Sequence, residues 1–258
     1  MKKLIIIICL IGVILFAYTS FSEAKTKKLI REVDITVSDN LVINATLFLT
    51  PNSNVKTKAP LAVLLPSIGG NKVIYTNLAK KLSENGIAVI AINPRGHSHS
   101  CTKTNGKKIF WQSMSKAQFA KYPTDLSDIL EYIKKNYLAI DGDKYVIVGA
   151  DLTANAAIIY ASNAKTPPKE LILFSPYISY KGLETAIPLV KYGQHPVLVF
   201  VSKADTSGYK NALELKKYAQ GDYRMEVFPS GGTGDNLLKI YNTSIESEIY
   251  NSIQNVLK

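Results

Sequence analysis

The stretch Tyr145-Val146-Ile147-Val148-Gly149-Ala150, running straight into Asp151-Leu152-Thr153-Ala154-Asn155, limits the folds open to this chain more than any other. Strand-forming residues meet a turn of small residues, and a helical stripe of Leu152, Ala156, Ile159 and Tyr160 begins at once. A strand, a sharp turn and a helix in immediate succession form the unit from which sheets covered by helices are built.

The rest of the chain fits that unit. Residues 29–37 and 41–49 each alternate partly with period two around Ser38-Asp39-Asn40, which predicts an antiparallel hairpin at the start. Leu61–Leu65 and Ile87–Ile92 are continuous apolar runs, the pattern of strands buried on both faces. Between them Ile74, Leu78 and Leu82 mark a helix closed by Asn85-Gly86. A helix is expected from Thr124-Asp125 to about Tyr137, and another over Leu183–Val190. Strands are expected at 171–174, 197–201 and 224–228, with a helix near 209–219 and a closing helix carrying Ile245, Ile249 and Ile253. This alternation predicts an α/β fold, a doubly wound and mostly parallel sheet opened by an antiparallel hairpin. The connections 95–123 and 176–195 are too short for a separate cap domain, so residues 25–258 are expected to form one domain.

Residues 1–24 stand apart. Lys2 and Lys3 precede an apolar run from Leu4 to Tyr18, and Ser22-Glu23-Ala24 has the small-x-small form of a cleavage site. A cleavable signal peptide and export to the periplasm or outside the cell are expected. An N-terminal membrane anchor is the alternative, although the run is shorter than the roughly 20 residues that span a bilayer. Cys9 lies inside this segment, so Cys101 alone remains beyond it and no internal disulfide can form there.

The formal net charge of +11 would draw the chain to anionic partners. Only Arg31, Arg95 and Arg224 are arginine, however, and the lysines are spread without a block, which predicts a solvated surface and no nucleic-acid interface. His97, His99 and Cys101 sit at two-residue spacing but match no recognised zinc pattern, so neither a metal nor another cofactor is expected.

From about Val33 to Leu238 the sequence resembles serine α/β-hydrolases of the dienelactone-hydrolase and esterase type. The resemblance rests on Leu64-Leu65-Pro66-Ser67-Ile68-Gly69-Gly70, Asn93-Pro94-Arg95-Gly96-His97, Gly149-Ala150-Asp151-Leu152-Thr153-Ala154-Asn155, Ser202-Lys203-Ala204-Asp205 and the stretch from Pro229 to Leu238, in that order. It implies the α/β-hydrolase fold, with a nucleophile at position 151, an acid at Asp205 and a histidine at position 233. It also implies an oxyanion hole from the main-chain N–H groups of Ile68 and Leu152. Here the nucleophile position reads Asp151 and the histidine position reads Thr233, and threonine has no titratable nitrogen to act as a base.

Two roles for Asp151 follow. As a helix cap it would accept N–H groups of the helix it precedes. As a carboxylate nucleophile, in the manner of haloalkane dehalogenases and epoxide hydrolases, it would need a relocated base, for which His99 and then His97 are the candidates. His195 precedes the strand at 197 and falls at the wrong edge of the sheet. Thr153, where the family has glycine, is expected to crowd the turn and relax its backbone. The residues favour the cap, and with it a non-catalytic protein acting by binding or structural interaction. The alternative is an active hydrolase of small ester-like, haloalkane or epoxide substrates. The partner remains open, a small molecule in the vestigial crevice or an anionic envelope component.

Overall fold

A computed structural model describes residues 29–257; the expected signal segment lies outside the described residues. The strands are β1 (Ile30–Thr36), β2 (Val42–Phe48), β3 (Ala59–Leu65), β4 (Ala88–Ile92), β5 (Ile140–Ala150), β6 (Leu171–Phe174), β7 (Ser179–Tyr180), β8 (Leu183–Glu184), β9 (Val197–Ser202) and β10 (Tyr223–Phe228). The helices are α1 (Thr76–Glu84), α2 (Lys116–Phe119), α3 (Tyr122–Asn136), α4 (Leu152–Asn163), α5 (Ala186–Tyr192), α6 (Thr206–Lys216) and α7 (Leu237–Leu257).

Eight strands make one sheet in the order β1-β2-β4-β3-β5-β6-β9-β10, and β7 and β8 form a separate two-stranded sheet. From β4 to β10 neighbours run parallel, while β1–β2 and β2–β4 are antiparallel. This is the expected doubly wound sheet with its antiparallel start. From β3 the chain moves outward to β4 and then returns to β5 on the other flank. The carboxyl ends of β3 and β5 therefore flank the point where the strand order reverses, the place where open α/β sheets gather their functional loops.

Alternate residues feed the two faces, as the period-two geometry of a strand requires. Leu61, Val63, Ile147, Leu173 and Val199 pack with Ile129, Ile133, Ala157 and Ile158 of α3 and α4. Ala62, Leu64, Val148, Ile172 and Phe200 pack with Leu78 and Leu82 of α1 and with Ile245, Ile249 and Ile253 of α7. The sheet thus has one apolar core on each side.

Three boundaries differ from the sequence reading. The helix expected from 124 begins at Tyr122, because Pro123 falls in the first turn, where no helical N–H is lost. The helix expected over 183–190 is split: Leu183 and Glu184 belong to a hairpin turned at Lys181 and Gly182, both at positive φ, and α5 starts after it. The closing helix is kinked at Tyr241, whose φ/ψ of −114°/28° is not helical.

Candidate functional site

The β5–α4 turn is a strained elbow. Asp151 has φ 50° and ψ −114°, a conformation that costs a non-glycine residue on the order of 1–3 kcal/mol. The expected relaxation does not occur, and Thr153 is the reason. Its hydroxyl accepts the Ala150 N–H at 2.8 Å and lies 2.9–3.2 Å from the carbonyl oxygens of Ala150, Leu65 and Pro66. The residue ties the elbow to the end of β3. Tightness falls instead on Gly149, where a Cβ would stand 2.8 Å from the Thr153 carbonyl oxygen and 3.0 Å from Ala154. Gly149→Ala is therefore expected to lower the unfolding free energy by about 1–3 kcal/mol in urea titration, as overpacking against fixed backbone does.

The cap expected of Asp151 is absent. It occupies the position before α4, but its side chain accepts no helix N–H, because a cap needs extended φ/ψ and the elbow imposes a positive φ. Asp205 does the capping in this fold: its Oδ1 accepts the Gly208 N–H of α6 at 2.9 Å. Its Oδ2 is buried and has no hydrogen-bond partner among the described residues.

The loop after β10 lies across the elbow. Thr233 donates its hydroxyl to Asp151 Oδ1 at 3.0 Å, and the Gly234 N–H bonds Ser175 Oγ at 3.0 Å. Asp235 closes a reciprocal pair with Ser67, its N–H to Ser67 Oγ at 3.1 Å and its Oδ2 from the Ser67 N–H at 3.0 Å. Gly234 passes so close that a Cβ on it would meet Asp151 Oδ2 at 2.6 Å and Ser67 Oγ at 2.2 Å. Asp151 is left 5% exposed. An open cleft of about 600 Å³ survives beside it, lined by Ser67, Ile68, Gly69, Asn71, Asp235 and Lys239 but not by Asp151.

Burial raises the Asp151 carboxyl to about 6, the charges of Asp235 and Asp205 add to the rise, and the hydroxyls of Ser67 and Thr233 oppose it. At neutral pH the group is a largely ionised carboxylate held in unfavourable surroundings.

Neither candidate base is brought to Asp151 by a hydrogen bond. His97 accepts the Gly69 N–H on Nε2 at 2.8 Å and pairs its Nδ1 with the Arg95 carbonyl at 2.9 Å, so both ring nitrogens are occupied. The ring stacks on Trp111 at 5.6 Å, and burial lowers its pKa. His97 braces the loop carrying Ile68. His99 is exposed, and His195 stacks on Tyr192 ahead of β9, at the opposite edge. The Ile68 and Leu152 N–H groups meet no protein acceptor among the described residues. Cys101 is buried, and no group of His, Cys, Asp or Glu among the described residues is placed to hold a metal.

Neither Ser175 nor the Ser67–Asp235 pair could be picked out from the sequence. Ser67 and Asp235 are 168 residues apart, and Ser175 is marked only by its φ of 44°, which a sequence does not display.

A family model described as Serine aminopeptidase, S33 matches residues 56–241, most of the chain. The chain belongs to that family of α/β-hydrolases. Among solved structures, this S33-family chain is similar to DcsB in complex with its substrate analogue, at 11% identity and a TM-score of 0.68 over 88% of this chain and 99% of that one. It is similar to an esterase from Pyrococcus furiosus, at 13% identity and 0.66 over 89% and 91%. It is also similar to a dienelactone hydrolase from Anabaena variabilis, at 12% identity and 0.64 over 89% and 100%. At these identities the likeness is one of fold. No curated protein matches the sequence.

Proposed function

We propose that this S33-family α/β-hydrolase chain is a non-catalytic member, exported through its N-terminal segment, that acts by binding or structural contact. The supporting observation is the fate of the proton-transfer position. Thr233 meets the elbow with a hydroxyl that cannot act as a base near neutral pH, and Asp205, whose counterpart in the family orients a histidine, keeps a buried oxygen with nothing to orient. Asp151 itself lies under Gly234 and does not line the open cleft beside it. A carboxylate nucleophile there would still require a base to hydrolyse its ester intermediate, and the His97 ring is committed on both sides.

The test is turnover. Purified protein, given activated aryl esters, short haloalkanes and epoxides, is expected to show no rate above that of its Asp151→Ala variant. Consumption that disappears in that variant would establish Asp151 as a nucleophile and overturn the proposal. Asp151→Ser alone is expected to remain inactive on the same esters, since it supplies a nucleophile without a base. An ester rate above the unmodified protein in that single variant would show that another residue takes the proton.

A further inference from the structure

Lysines that look dispersed along the sequence are concentrated by the connection between β4 and α3. From Asn93 to Thr124 there is no Asp or Glu, while Arg95, Lys103, Lys107, Lys108, Lys116 and Lys121 all fall within it. Part of this charge is already answered. Asp39 pairs with Arg95, Lys103 and Lys121. Lys107, Lys108 and Lys116 remain exposed without an ion pair among the described residues. The β7–β8 hairpin adds a fourth: Lys181 lies 5.8 Å from the centre of the Phe119 ring, and Gly182 packs against the Lys116 side chain. The exposed acid on that hairpin is Glu184, which accepts the Ser179 hydroxyl.

Lys107 and Lys108 are mounted on a defined tip. The Lys103 N–H bonds the Lys107 carbonyl at 2.9 Å, the Gly106 N–H bonds the Lys103 carbonyl at 2.9 Å, and Thr102 and Lys108 form an antiparallel bridge. Two residues on, Phe110 is 50% exposed although its neighbour Ile109 is buried and Trp111 is fixed on His97. A merely solvated basic face has no use for an aromatic ring held out in water. Cations beside an exposed aromatic are what the interface of a negatively charged bilayer selects, where phosphates meet ammonium groups and a ring can enter the headgroup layer.

We propose that Lys107, Lys108 and Phe110 dock the protein on anionic lipid headgroups, with Lys116 and Lys181 adding to the positive charge that attracts them. No helix among the described residues is long and apolar enough to cross a membrane; the contact proposed for the lysines and Phe110 is one of lying on the surface. The inference holds whether or not the elbow turns over a substrate.

Full-length protein mixed with vesicles of phosphatidylcholine, with or without one-third phosphatidylglycerol, tests this by co-sedimentation. The neutral vesicles set the baseline for whatever the N-terminal segment contributes. Binding to the anionic vesicles is expected to exceed that baseline, to weaken with salt, and to fall about twenty-five-fold in Lys107→Gln/Lys108→Gln, at about fivefold for each lysine near the surface. Phe110→Ser should lower it about fivefold, the value of burying half a ring. Lys56→Gln/Lys58→Gln, which removes equal charge ahead of β3 at the opposite edge, should leave it unchanged. Equal binding to both vesicle types overturns the proposal, as does an equal loss in the two lysine pairs. So does an unaffected Phe110→Ser protein that binds soluble polyglutamate as tightly as vesicles, which would assign the surface to an anionic polymer.

Discussion

Arg95→Met is expected to lower the unfolding free energy by about 3–5 kcal/mol, the cost of stripping the partner from buried charge. Arg95 is 2% exposed, and its guanidinium spans two carboxylates: Nε to Asp125 Oδ2 at 2.8 Å, and the two terminal nitrogens to Asp39 at 2.9 and 3.1 Å. Asp39 keeps Lys103 and Lys121 when the arginine is lost, so it is partly compensated. Asp125 is 6% exposed and has Arg95 as its ion-pair partner among the described residues, so the penalty falls mainly there. Adding Asp125→Asn should then recover a large part of the loss, because it removes the stranded charge. Urea titrations followed by Trp111, the single tryptophan, measure both variants where they matter, since the Trp111 N–H bonds the Gly96 carbonyl. A loss below about 1 kcal/mol in the single variant would place this pair with exposed ion pairs and refute the account.

The consequence reaches the site. Arg95 fixes the backbone that offers its own carbonyl to His97, and His97 in turn accepts the Gly69 N–H beside Ile68. The loop that would carry an oxyanion donor is thus held by a buried charge cluster on the neighbouring connection. Of this chain of contacts the sequence displays only the Asn93-to-His97 run, with no indication of what each side chain grips.

How far the sequence was legible follows from what each feature depends on. The sheet could be read because its strands carry their burial in their own composition: Leu61–Leu65 and Ile87–Ile92 are apolar throughout, and β3 and β4 are the parallel central strands this implies. The positions of the site could be read because the turn after β5 and the loop after β10 sit at fixed places in that order. The roles could not. Whether Asp151 or Asp205 caps its helix is decided by backbone angles, and the two residue names are the same. Thr153 was expected to crowd the elbow, yet its hydroxyl finds three carbonyl oxygens and one N–H that only the folded turn brings together. The lysines of the β4–α3 connection look sparse in sequence because the residues between them are neutral; the missing acid is legible there, but which of the cations Asp39 neutralises is visible only in the fold.

Asp151→Asn is expected to make the protein more stable at pH 7 by about 3 kcal/mol, the free energy of a shift of roughly two units from the ordinary aspartate value of 3.8 to about 6. The sign follows from linkage. With the folded pKa above the unfolded one, the native state holds the extra proton between about pH 4 and pH 6, so this group's contribution to stability falls as pH rises through that window and is level above it. Asparagine cannot ionise and is free of that cost at every pH. Its carbonyl oxygen can take the Thr233 hydroxyl as Asp151 Oδ1 does, and its amide stands where the carboxylate meets the Ser67 hydroxyl. The two proteins should therefore have nearly equal stability at pH 4 and separate steadily up to pH 6–7, as read from urea midpoints across that range. Parallel curves, or a variant less stable at pH 7, would show that the carboxylate is favourably held. Residues kept at a cost to the fold are commonly kept for chemistry, which is why this measurement belongs beside the turnover assay. A stabilised variant with no rate to lose leaves the strained elbow and its buried charge explained by the packing of β5, α4 and the Thr233–Asp235 loop alone.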